Sequence, residues 1–178
     1  LAAVGLFRYV LPHHALLRNV IIALTLPTNI LLLVASTGGA ARHEYPLYMY
    51  RDEKEALDWL RENTAPHEVV LASPGKDSSG PFPFPGTGLL IPAWAGNRVL
   101  YGHPFETIEA EEKRAQAETF FARETPAPVR REILERYDID YVFYGPQERA
   151  SGADLESLPF LIKVYNNNLV TIYRRGDG

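Results

Sequence analysis

Hydrophobic and polar positions divide this chain into two unlike parts. Residues 19–41, NVIIALTLPTNILLLVASTGGAA, hold no charged side chain across 23 positions. A helix of that length rises roughly 34 Å, enough to cross a hydrocarbon core of about 30 Å. Pro27 and Asn29 interrupt the run. Both are tolerated in a spanning helix whose neighbours satisfy the freed backbone groups. A buried core helix or the apolar core of a signal peptide gives a similar pattern. The preceding LAAVGLFRYVL, however, reads as the tail of another apolar helix. Because the chain begins at Leu1, it is expected to be part of a longer protein with earlier membrane helices.

From residue 51 the periods become those of an α/β domain. Asp52 is expected to cap a helix to about Asn63, with Ala56, Leu57, Trp59 and Leu60 on its apolar face. Residues 68–73 read as a short buried strand, 74–85 (PGKDSSGPFPFP) as a loop, 88–95 as a short helix carrying Trp94, and 98–101 as a second strand. An amphipathic helix is expected over 107–123, with Ile108, Ala115, Phe120 and Phe121 inward. Another is expected over 128–137, with Val129, Ile133 and Leu134 inward. Residues 140–144 form a third strand ending at Gly145-Pro146. Residues 161–165 and 169–173 form a hairpin around three asparagines, which tolerate left-handed backbone. The order predicts a Rossmann-like three-layer α/β sandwich with an antiparallel edge hairpin, preceded by a transmembrane helix. The divisions are a membrane segment at 1–41, a juxtamembrane linker at 42–50 and the α/β domain at 51–175. Tyr45, Tyr48 and Tyr50 of the linker are placed to sit at headgroup level.

Charge sharpens the division. Residues 51–178 carry 15 Lys and Arg against 21 Asp and Glu, so 15 − 21 = −6. The loop ahead of the apolar helix bears Arg8, His13, His14 and Arg18. By the positive-inside tendency it is cytoplasmic, which puts the α/β domain outside the cytoplasm at the plasma (inner) membrane. An acidic domain is a poor partner for nucleic acid. With no cysteine there is no disulfide and no thiolate chemistry.

In a parallel sheet, ligands bind beyond the carboxyl ends of the strands. Three strands end there in polar groups: Ser73 before the Pro/Gly loop, Gly102-His103-Pro104-Phe105-Glu106-Thr107, and Gly145-Pro146-Gln147-Glu148-Arg149. The candidate ligand-binding residues are Arg98, His103, Glu106, Thr107, Glu148 and Arg149. Histidine is the side chain whose charge changes most readily near neutrality, so His103 could move a proton or hydrogen-bond a sugar or phosphate. Plainer readings stand beside these. His103 and Glu106 cap the next helix, Glu148 and Arg149 form an exposed ion pair, and Arg98 makes a local salt bridge. Gly86-Thr87-Gly88 lacks the third glycine of a dinucleotide fingerprint. Gly75-Lys76-Asp77 lacks the spacing of a phosphate loop, and no HExxH or GxSxG occurs.

The runs EALDWLRENTAPHEVVLAS, GTGLLIPAWAGNRVLYGHPFET and ILERYDIDYVFYGPQERA resemble the C-terminal extracytoplasmic domain of bacterial polytopic GT-C-type membrane glycosyltransferases, with an order similar to that in oligosaccharyltransferase and mannosyltransferase-like enzymes. The resemblance covers about residues 51–175 and the preceding membrane helix. It implies a domain that helps position the acceptor or a polyprenyl-phosphate-linked sugar donor. Its partners would be the membrane, the remaining transmembrane helices of the same chain, and a lipid-linked sugar or glycan acceptor. Ser73 and the Pro/Gly loop stand where oligosaccharyltransferases carry Trp-Trp-Asp, so peptide-acceptor recognition is not implied. The catalytic carboxylate of such enzymes lies in an early outer loop. No catalytic residue, metal ligand or cofactor is therefore assigned within these residues, and a divalent metal is left to the full-length parent. The alternative is a non-catalytic interaction domain of a membrane protein, marked by an exposed apolar patch of Phe82, Phe84 and Trp94.

Overall fold

The structure, a computed structural model, describes residues 14–42, 49–75, 86–103, 105 and 107–176. The chain divides into two compact units, Leu1–Tyr48 and Met49–Gly178. Phe82, Phe84, Tyr45, Tyr48, Pro104 and Glu106 lie outside the described residues, so the readings placed on them have no structural counterpart.

The first unit contains helix α1, Ala15–Ala41, which is long and apolar enough to cross a membrane, with a mean hydropathy of 2.0 over its most apolar 18 residues, none of which is buried inside the protein. It starts four residues earlier than the charge-free run, so Arg18 belongs to the helix and not to the loop before it. It holds Pro27 within its length. Three of its polar side chains bond to the helix's own backbone. The Thr25 hydroxyl donates to Ile21 O at 2.8 Å, Asn29 Nδ2 donates to Thr25 O at 2.9 Å, and the Thr37 hydroxyl donates to Leu33 O at 2.8 Å.

The second unit is built on a mixed five-stranded sheet in the order β2-β1-β3-β5-β4. The strands are β1 Val69–Leu71, β2 Arg98–Val99, β3 Tyr141–Tyr144, β4 Leu161–Asn166 and β5 Thr171–Arg175. β1 lies parallel between β2 and β3, whereas β5 is antiparallel to both β3 and β4. The helices are α2 Arg51–Asn63, α3 Leu90–Trp94, α4 Ala110–Phe121, α5 Ala127–Arg136 and α6 Pro146–Ala150.

The period of two along each strand sends alternate side chains into different cores. Val69, Leu71, Val142, Tyr144 and Tyr173 meet Phe120, Phe121, Ile133 and Leu134 of α4 and α5. Val70, Ala72, Tyr141, Phe143 and Ile172 meet Ala56, Leu57 and Leu60 of α2 and Ile91 of α3. Trp59 adds its ring to Tyr165 of β4, centroids 5.5 Å apart.

Several local expectations need correction. α2 begins at Arg51, not after an Asp52 cap, because Glu53 reaches back to the Tyr50 N–H at 3.1 Å. α4 begins only at Ala110, preceded by Glu109 in left-handed backbone. Ile108 therefore precedes the helix and is 79% exposed. Within α4, Ala115 is exposed and Ala117 takes the inward position. In α5, Val129 is exposed while Arg130 is buried, donating from Nε to Phe120 O at 2.9 Å and from Nη2 to Ala122 O at 2.7 Å. It thereby satisfies carbonyls at the end of α4 that the helix cannot pair. The hairpin turn uses side-chain bonding instead of left-handed asparagines. Asn167 Oδ1 accepts the Val170 N–H at 2.8 Å, and Asn167 Nδ2 donates to Asp52 O at 2.8 Å, tying the turn to α2.

These placements predict a sharp contrast. Phe120→Ala, at a fully buried position, should lower unfolding free energy by about 3–5 kcal/mol. Ile108→Ala should change it by less than about 0.5 kcal/mol. Denaturant titration of the full chain in detergent checks both, and equal effects would contradict the helix start at Ala110.

Candidate functional site

The carboxyl ends of β1 and β3 are joined by one side chain. Glu148 is 0% exposed. Its Oε1 accepts the Ser73 N–H at 2.8 Å and its Oε2 accepts the Gly145 N–H at 2.9 Å. The expected exposed ion pair with Arg149 is therefore absent, because α6 turns Glu148 inward and Arg149 the other way. Arg149 Nη2 donates to the Thr171 hydroxyl at 2.9 Å, and its guanidinium lies 4.6 Å from the centre of the Tyr144 ring. Burial pushes the Glu148 carboxyl up to about 7, against the opposing pull of N–H bonds from Ser73, Gly145 and its own residue. The nearby Glu53, itself buried and shifted upward by that burial, adds to the rise. The sequence did contain a signal for this. Gly-Pro-x-Glu places proline at the first helical position and glutamate two residues further on, where it can reach back to the cap N–H.

The remaining strand end is brought in by close backbone approach. Gly86 N donates to Pro74 O at 2.9 Å, and a Cβ on Gly86 would stand 2.2 Å from Ser73 O. A Cβ on Gly88 would stand 2.5 Å from Tyr101 O. Any larger residue at either position would drive these segments apart. The expected convergence of three strand ends thus holds for the backbone, although the polar side chains do not all meet in one place.

Beside the edge strand β2 lies an open groove of about 680 Å³. It is lined by Arg98, His103 and Thr107, three of the six residues singled out by sequence, and by Lys113, which sequence reasoning passed over as part of a charged helix face. Glu148 and Arg149 are not among its lining residues, and Glu106 lies outside the described residues. The groove's apolar share includes Leu89, Pro92, Ala93 and Val99.

A short turn fixes His103. The Thr107 N–H donates to His103 O at 3.0 Å, the Gly102 N–H to the Thr107 hydroxyl at 3.4 Å, and the Phe105 N–H to His103 Nδ1 at 3.3 Å. Since Nδ1 is an acceptor, the neutral ring carries its proton on Nε2. His103 does not cap α4, which starts seven residues later. Arg98 enters none of the ion pairs among the described residues, so its expected local salt bridge is not formed there. Asn97, also missed in the sequence, anchors the start of β2. It is buried and donates from Nδ2 to the Thr64 hydroxyl at 2.8 Å and to Ala65 O at 2.9 Å. Among the described residues, no group of three or more His, Asp or Glu could hold a metal ion.

No protein-family model matches the chain, and no curated protein does. Among solved structures the chain is similar to the crystal structure of the C-terminal globular domain of oligosaccharyltransferase from Archaeoglobus fulgidus. The identity is 18% and the TM-score 0.49, covering 71% of this chain and 98% of that one.

The Glu148 bridge makes a pH prediction. Its folded carboxyl holds its proton up to about 7, above the 4.5 of an ordinary glutamate. The stability gained from that proton is complete below about pH 4.5, declines as pH rises, and is gone above about pH 7. The wild-type protein should therefore lose on the order of 3 kcal/mol across that window relative to Glu148→Gln, which has no proton to release. Denaturation of both proteins from pH 4 to 8 measures the difference. Parallel curves would contradict it.

Proposed function

We propose that the chain is the membrane-anchored C-terminal part of a membrane glycosyltransferase that uses a polyprenyl-phosphate-linked sugar. Its Rossmann-like α/β domain lies on the extracytoplasmic side and positions the acceptor or the lipid-linked donor. The observation that carries this reading is the groove beside β2, in which Arg98, His103 and Thr107 line a single open site. The three sequence runs that resemble GT-C domains and the apolar helix α1 support it further.

The role is positioning. The described lining offers donors and cations but no carboxylate to act as a general base. The alternative, a docking surface formed around exposed aromatic rings, has from its expected patch only Trp94 among the described residues, 38% exposed. Its Nε1 donates to Asp58 Oδ1 at 2.9 Å and Lys54 Nζ sits 5.2 Å from its ring centre, so it braces α3 against α2.

In the full-length parent, Arg98→Ala and His103→Ala should each lower glycosyl transfer by roughly tenfold, the scale of one lost charge-assisted hydrogen bond, with unchanged thermal unfolding. Full turnover in both variants would remove the groove from the reaction.

A further inference from the structure

The polar lining of the β2 groove is strongly one-sided. Arg98 and Lys113 supply positive charge, His103 supplies a ring N–H and Thr107 a hydroxyl. The described lining residues include no Asp, Glu, Asn or Gln, and no Phe, Tyr or Trp. A neutral sugar ring presents hydroxyl protons that need acceptors and an apolar face that suits an aromatic platform. Among the described lining side chains the acceptors are the Thr107 oxygen and His103 Nδ1, and each already accepts a backbone N–H.

Its cations, moreover, are uncommitted among the described residues. Neither Arg98 nor Lys113 takes part in an ion pair among the described residues. His103 has its Nδ1 occupied by the Phe105 N–H, which leaves Nε2–H as its free donor. A lining of donors, with cations that enter no ion pair among the described residues, complements a group that is anionic and rich in acceptors. A phosphate is that group. The apolar share of the groove, with Leu89, Pro92, Ala93 and Val99, gives the rest of the ligand a surface to rest on.

We propose that the groove beside β2 binds a phosphate ester, with Arg98 and Lys113 balancing its charge and His103 Nε2 and the Thr107 hydroxyl donating hydrogen bonds to its oxygens. This rests on the groove being the site of the function proposed above. It narrows what that site holds from any part of acceptor or donor to the phosphate itself. The phosphate can come from a lipid headgroup or from a soluble sugar phosphate.

The test uses the full chain in non-ionic detergent, with the backbone amide resonances of Gly88, Gly102 and His103 as reporters. Glucose 1-phosphate, glucose and inorganic phosphate are titrated separately, and phosphatidic acid is added in mixed micelles. Saturable shifts from at least one phosphate ester and none from glucose are expected. Arg98→Ala and Lys113→Ala should each raise the dissociation constant roughly tenfold, while Arg98→Lys retains most of the affinity. Shifts from phosphatidic acid alone identify a lipid source, and shifts from glucose 1-phosphate alone a soluble one. The proposal is overturned if glucose moves these amides as far as its phosphate does. It is also overturned if no ester moves them, or if both alanine variants bind as well as the wild type. Should the groove take glucose while Arg98→Ala still impairs transfer in the parent, the phosphate assignment fails and the functional reading stands. Should phosphate bind while transfer ignores Arg98, the reverse holds.

Discussion

One buried carboxylate holds the working end of the sheet together. Glu148 arises from the first turn of α6, yet its two oxygens take N–H groups from Ser73 after β1 and from Gly145 after β3. Strand ends normally diverge into loops that satisfy their backbone in water. Here two of them leave water entirely and need an internal acceptor, because an unpaired buried N–H costs about 1–3 kcal/mol. Ser73 is then fixed closely enough for Gly86 to lie against its carbonyl, and Gly88 in turn lies against Tyr101. That chain of contacts sets where β2 ends, and so where the groove opens.

The groove follows from β2 being both short and at the edge. Two residues pair with β1 and the strand then gives way to a turn closed by Thr107 and His103. Asn97 anchors the strand's start to the end of α2, and Gly88 packs against its exit. Arg98 is exposed, and among the described residues no further strand covers it. An edge strand left open invites partners. Here the opening is flanked by α3 and α4, which turn a bare edge into a lined cleft.

Much of this was legible in the residues. The strand and helix order, the parallel centre with an antiparallel hairpin beside it, and the pairing of polar groups with strand ends all follow from period and punctuation. What escaped was decided by tertiary contact. Ile108 looks inward on a helical wheel only if the helix starts at Thr107. The His103–Thr107 turn delays that start and strands Ile108 in solvent. Glu148 looks like half of a surface ion pair because Arg149 follows it, and only the burial of both strand ends explains why it points inward. Lys113 looks like one charge among many on α4, and gains meaning from the cleft that α4 happens to border. Arg130 shows the same logic in a cation, its burial compensated by two carbonyls that α4 leaves open.

A carboxyl held near 7 inside an α/β domain would ordinarily suggest a general acid. Glu148 does not meet the geometric half of that description. Both oxygens are occupied by backbone donors, none of the side chain is exposed, and it does not line the groove where a ligand could reach it. Its altered proton affinity is the consequence of bracing two strand ends away from water. The groups that can meet a ligand, Arg98, His103, Thr107 and Lys113, have the opposite character, being donors and cations on an open surface. Bond-making chemistry on a sugar needs a base or nucleophile beside the reacting carbon. Among the described residues, the one carboxyl shifted to about 7 is out of reach and the donors are within reach, an arrangement suited to holding a charged ligand rather than to reacting with it.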